Sequence, residues 1–175
     1  MIRIRDFIPD DFQVESITLL EEGYDVIVSA PTGAGKTYIA EVFSERIINR
    51  GGKVWYATPL KALSNDKYRD FQELFGCENC GILTGDRKEN PNSPLIVGTT
   101  EILRNMLVDT PESVDIDLIV LDEAQWISDP ERGVSWEEII IFAPKKTQFL
   151  ILSATIPNAE DVRKWISSVR EKEKI

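Results

Sequence analysis

The chain has 175 residues, 42% of them apolar, which is material for one packed core and no more. Its 20 Lys and Arg stand against 30 Asp and Glu, and the formal charge of −10 excludes a uniformly basic nucleic-acid coat. Histidine is absent and only Cys77 and Cys80 carry thiols, which excludes imidazole catalysis and a closed four-ligand zinc cage.

In chain order, apolar runs at Asp25 to Ala30, Lys53 to Thr58, Gly81 to Thr84, Leu95 to Thr99, Asp117 to Asp122 and Gln148 to Ser153 predict strands. The first, second, fifth and sixth are almost wholly aliphatic or aromatic, as strands buried on both faces must be. Between them Gly35 to Asn49, Leu60 to Phe75, Thr100 to Leu107 and Asn158 to Val169 repeat apolar residues at helical spacing. The fold class that follows is α/β, a mainly parallel β-sheet sandwiched between α-helices, in one domain over residues 1–175. Gly85 to Pro94 and Ser128 to Gly133 read as exposed loops, and the Lys- and Glu-rich tail Ser167 to Ile175 as a fraying end. Cys77 and Cys80 read as ordinary cysteines beside a strand start; the competing redox reading wants the pair at a helix opening after a strand. No run approaches the roughly 18 to 20 apolar residues of a membrane span. Met1 to Arg5 lack the apolar core of a signal peptide, so the expectation is a cytoplasmic protein with no membrane partner.

Ala30-Pro31-Thr32-Gly33-Ala34-Gly35-Lys36-Thr37 lies between an apolar strand and a helix, the context that gives a phosphate-binding loop its meaning. Gly33 and Gly35 let the backbone curl until successive N–H groups face phosphate oxygens, and the helix N-terminus adds positive potential. Lys36 would reach the β- and γ-phosphates and the Thr37 hydroxyl would enter the coordination shell of Mg²⁺. The strict pattern begins with Gly, and here that place is held by Ala30. A matching acidic half follows Leu118-Ile119-Val120-Leu121: Asp122 would hold Mg²⁺, partly through water, and Glu123 would activate the attacking water. Taken alone, Asp122-Glu123 could equally cap a helix.

Beyond the generic loop, Asp122-Glu123-Ala124-Gln125 resembles the DExH or DEAD box of superfamily 2 helicases, and Ser153-Ala154-Thr155 resembles their third motif. Thr58-Pro59-Leu60-Lys61-Ala62-Leu63, Thr84-Gly85-Asp86 and Thr99-Thr100-Glu101-Ile102-Leu103 are similar to their nucleic-acid motifs. Ala62-Leu63-Ser64-Asn65, Glu131-Arg132-Gly133-Val134, Trp136-Glu137-Glu138 and Ser153-Ala154-Thr155-Ile156-Pro157-Asn158-Ala159 narrow the resemblance to the superkiller and exosome-associated RNA helicases.

The resemblance implies the first RecA-like domain of an ATP-dependent RNA helicase moving 3′ to 5′, with ATP and Mg²⁺ as cofactors. It implies that Gln13 reads the adenine edge and Phe7 packs on the base, either of which could locally be a core position. It places single-stranded RNA on Pro59, Lys61, Thr84, Asp86, Thr99, Thr100 and Arg104, where helix caps or solvated charges are the alternative readings. It assigns Gln125, Ser153 and Thr155 to coupling between hydrolysis and strand movement, although the family usually has His where Gln125 stands. It also implies a second RecA-like domain, from the same polypeptide or a partner, for which this chain shows no motif. The chain alone is therefore expected to bind ATP weakly and turn it over slowly. A DNA helicase of the same superfamily, a nucleotide-dependent binding module and a P-loop kinase are the competing readings.

Overall fold

The computed structural model describes residues 8–110, 114–125, 133–154, 158–171 and 174–175. Seven strands, β1 (Val26–Ser29), β2 (Val54–Thr58), β3 (Cys80–Leu83), β4 (Lys88–Glu89), β5 (Leu95–Thr99), β6 (Leu118–Leu121) and β7 (Gln148–Ser153), form one sheet in the order β1-β7-β6-β2-β5-β3-β4. Every pairing is parallel except that of β4 on β3. The helices are α1 (Asp11–Glu21), α2 (Lys36–Asn49), α3 (Lys61–Phe75), α4 (Thr100–Asp109), α5 (Gly133–Phe142) and α6 (Ala159–Arg170).

Because successive strand residues face opposite ways, each strand feeds two cores. Val54 and Tyr56, Leu118 and Val120, and Leu150 and Leu152 pack with Phe43 of α2 and Tyr68 and Phe71 of α3, alongside Ile17 and Leu20 of α1. Trp55 and Ala57, Ile119 and Leu121, and Phe149 and Ile151 pack on the other side with Leu103 of α4, Trp136 and Ile139 of α5, and Ile166 of α6. Register then aligns the strand ends. Ser29 pairs with Ser153, Leu121 with Ile151, Ala57 with Leu121, and Thr58 with Thr99, so the loops that follow all leave one carboxyl edge. Ligands of open parallel sheets bind at that edge.

Three expectations change. Helix α1 was not among the elements anticipated, although Asp10, whose backbone N–H donates to Gln13 Oε1 at 2.8 Å, marks its start. Helix α5 was not anticipated either: it packs on α4 and α6 through fully buried Trp136, Ile139 and Ile140, but the apolar run continues onto exposed Ile141 and Phe142 and hides the helical period. The rest of the expected loop Ser128 to Gly133 lies outside the described residues. The described residues of the tail are anchored rather than frayed. Arg170 is 2% exposed, with its guanidinium over the Phe149 ring and donating to the carbonyls of Ile140, Pro144 and Thr147. Asp25 N–H, at the foot of β1, donates to the Lys174 carbonyl at 3.0 Å. Gly85 to Pro94 is exposed as expected at its tip, yet holds β4. Cys77 is exposed in a 3₁₀ turn and Cys80 is buried at the start of β3; both are free thiols. Among the described residues no helix is long and apolar enough to cross a membrane.

Candidate nucleotide site and nucleic-acid edge

β1 ends beside β7, and the chain turns through Pro31 to Ala34 into α2, with Pro31, Thr32 and Gly33 exposed. Gly33 and Gly35 have φ of 85° and 78°, a left-handed backbone that side chains resist. A Cβ on Gly35 would also meet Gln13 Nε2 at 2.7 Å, so this glycine answers a close approach as well. Lys36 opens α2 and folds back, donating from Nζ to the carbonyls of Ala30 at 2.6 Å and Pro31 at 2.9 Å. It is thus held over the loop that phosphates would fill.

Gln13 is wholly buried. Its Oε1 accepts the Asp10 N–H and its Nε2 donates to the Gly35 carbonyl at 2.8 Å, so the structure places it under the phosphate loop as a strut. Phe7 lies outside the described residues.

The acidic pair leaves β6, one strand beyond β7. Asp122 is 8% exposed; its Oδ2 accepts the Tyr56 hydroxyl at 2.6 Å and its Oδ1 accepts the Glu123 N–H at 2.9 Å. Burial raises the Asp122 carboxyl above its usual range, while the Tyr56 hydrogen bond and the Lys67 charge pull it back. Tyr56 is itself fully buried, and burial followed by the Asp122 charge pushes its phenol well above the ordinary value. Glu123 has φ of 58°, a strained conformation costing about 1–3 kcal/mol that turns its side chain out of the strand end. Gln125 holds the far side: Nε2 donates to Glu123 Oε2, while Oε1 accepts from Ser153 Oγ at 3.3 Å and from the Ala154 N–H at 3.0 Å. Thus an amide does bridge the box to β7 where the family usually has His. Thr155 lies outside the described residues.

Two participants were missed by sequence reading. Tyr56 sits among strand apolars, and Lys67, whose Nζ donates to Thr37 Oγ1 at 3.3 Å, sits among the charges of α3. No spacing marks either one; only the fold brings them to the site.

The remaining strand ends carry the expected nucleic-acid residues. Thr58 Oγ1 bonds Ser64 Oγ at 2.7 Å and donates to the Leu60 carbonyl at 3.0 Å, bracing the turn that presents Pro59 and Lys61. Lys61 pairs with Asp86 at 3.2 Å, and Asp86 also accepts the Thr84 hydroxyl at 3.0 Å. Those donors hold the exposed Asp86 carboxyl below its usual range, the Thr84 hydroxyl first. Thr99 and Thr100 are buried where β5 passes into α4, and Arg104 on α4 is ion-paired with Glu138 of α5. Thr84 and the two threonines thus build the edge, while Lys61 and Arg104 are its charged surface.

The sequence profile of the DEAD/DEAH box helicases matches residues 10–162. The chain belongs to the DEAD/DEAH box helicase family. It is 44% identical over 98% of its length to the chloroplastic DExH-box ATP-dependent RNA helicase DExH15 of Arabidopsis thaliana, covering 15% of that protein. It is 45% identical over 92% of its length to the probable helicase HelY of Mycobacterium tuberculosis, covering 18% of it. Against the antiviral helicase SKI2 of Saccharomyces cerevisiae the identity is 42% over 93% of the chain and 13% of the relative. The chain therefore spans less than a fifth of these relatives. A solved structure of an S. cerevisiae Dbp5 variant, bound to Nup159, Gle1, IP6 and ADP, superposes with a TM-score of 0.74. At 23% identity, over 93% of this chain and 46% of that one, it shows the shared fold, a RecA-like parallel sheet.

The donor set suits a hard divalent cation: the Thr37 hydroxyl and the Asp122 carboxylate offer oxygen only. Among the described residues no cluster of three or more His, Cys, Asp or Glu could hold a metal by itself. A metal with few protein ligands and several from phosphate and water matches a nucleotide site.

Proposed function

We propose that this chain is the ATP-binding and hydrolysing half of an ATP-dependent RNA helicase, with single-stranded RNA crossing the loops after β2, β3 and β5. The observation that carries the reading is the Gln125 bridge, which ties the side chain of Glu123 to Ser153 and Ala154 at the neighbouring strand end. A site built only to hold nucleotide has no need of that link. The relatives support it, one being an ATP-dependent RNA helicase and another an antiviral helicase.

In this mechanism the phosphate loop offers its N–H groups to the ATP phosphates and Lys36 exchanges the carbonyls of Ala30 and Pro31 for phosphate oxygens. Glu123 orients a water and takes its proton, and Gln125 reports that event to β7. Mg²⁺, held by Thr37 and Asp122 partly through water, would neutralise charge on the β- and γ-phosphates. A second RecA-like domain would supply an arginine worth about 10³ to 10⁵ in rate, so slow turnover is expected without it.

The test is phosphate release by the polypeptide containing this chain, with a single-stranded RNA and a DNA of equal length. RNA-stimulated release that disappears in Lys36→Ala and Glu123→Gln supports the reading. Phosphorylation of a small acceptor, or nucleotide-switched partner binding without turnover, contradicts it.

A further inference from the structure

Four side chains meet between the phosphate loop and β6 as two hydrogen-bonded pairs. The Lys67 ammonium donates to Thr37 Oγ1 at 3.3 Å. Tyr56 donates to Asp122 Oδ2 at 2.6 Å. An ammonium only donates and a carboxylate only accepts, so the direction of each pair is fixed. The first pair carries a positive charge and the second a negative one.

Their supports are rigid. The Tyr56 ring is packed edge-on against Phe71 of α3, with centroids 4.9 Å apart, and Tyr68, Phe71 and Phe75 fasten that helix to the sheet. Lys67 is half-buried on the same helix, which aims its side chain at the start of α2. Thr37 and Asp122 are the two side chains assigned above to the divalent cation. A cation on Thr37 needs the same oxygen that receives the Lys67 ammonium, and two positive charges cannot share it without strong repulsion.

We propose that Lys67 is the built-in counter-cation of this metal position, holding the Thr37 hydroxyl until a divalent ion displaces it. The inference rests on the nucleotide reading given above and adds a positioning residue to it. Metal entry is then an exchange of one cation for another, and Lys67 sets the Mg²⁺ concentration at which the site fills.

The experiment is a Mg²⁺ titration of the chain at fixed mant-ADP, read by fluorescence, with no hydrolysis involved. Lys67→Met is expected to lower the Mg²⁺ concentration for half-saturation about two- to fivefold, the size of one partly exposed charge contact. Tyr56→Phe, which frees Asp122 Oδ2 while keeping the ring, is expected to shift it the same way. Lys67→Arg restores wild-type behaviour, and Arg69→Met, on the exposed side of α3, leaves it unchanged. Melting temperatures of each variant without ligand report any loss of folding. A Lys67→Met titration unchanged, or shifted to higher Mg²⁺, overturns the proposal while wild-type binding leaves the nucleotide reading standing. Absence of Mg²⁺-dependent mant-ADP binding in the wild type overturns both.

Discussion

The two halves of the carboxyl edge are built differently. On the nucleotide side, after β1, β6 and β7, the functional groups are buried or half-buried and joined by hydrogen bonds: Gln13 to Gly35, Tyr56 to Asp122, Gln125 to Glu123 and Ser153. On the proposed nucleic-acid side, after β2, β3 and β5, the charged groups are more exposed, in the ion pairs Lys61 with Asp86 and Arg104 with Glu138. A buried network fixes atoms for chemistry at a high cost if one member is lost. An exposed ion pair contributes little to stability and is easily exchanged for a phosphate. One edge therefore combines a preorganised centre with a surface of replaceable partners.

The sharpest way to break this comparison is at Glu123. Glu123→Gln should keep nucleotide binding and reduce hydrolysis about 10²- to 10⁴-fold, the usual worth of a positioned base; equal loss of binding would mean that the network is structural only. Next in size is a residue belonging to neither half. Arg170 and Asp25 lie 3.5 Å apart with side chains 1% and 2% exposed, and Arg170→Met leaves a buried carboxylate behind. Breaking such a pair costs about 3–5 kcal/mol, so chemical denaturation should show a matching loss, and both functions should fall together.

Smaller effects are expected on the exposed side. Lys61→Ala and Arg104→Ala should each weaken RNA binding similarly for every sequence and reduce the salt dependence by about one unit of slope. Glu138→Gln, which releases Arg104, should strengthen RNA binding a few-fold in filter-binding or anisotropy titrations. The smallest concerns the thiols. Burial pushes Cys80 up to about 12, so at pH 8 it stays a neutral, unreactive thiol while exposed Cys77 is accessible. Thiol titration should count one group in the native chain and two after denaturation.

Much of this was legible in the sequence, for physical reasons. Strands buried on both faces must be continuous apolar runs, so Leu95 to Thr99 and Gln148 to Ser153 match the structure end to end. Gly33, Gly35 and Lys36 are recognisable because one geometry demands those types at that spacing. What escaped was set by the fold. Exposed Ile141 and Phe142 hid the helical period of α5, and Arg170 resembled a solvated tail charge until the Ile140 and Thr147 carbonyls were brought around it. Tyr56 and Lys67 acquire their roles only because β2 lies beside β6 and α3 lies over β2. Gln13, expected at the adenine edge, is tied through its amide to Asp10 and Gly35, an anchoring that only the fold shows.

The most direct test of two separate sites on one edge is a crossed binding measurement on the chain, with Mg²⁺–ATP by calorimetry and a single-stranded RNA by fluorescence anisotropy. Lys36→Ala should lose ATP and keep RNA, while the double variant Lys61→Ala, Arg104→Ala should lose RNA and keep ATP. If either variant loses both ligands, or neither, the division of the edge is wrong.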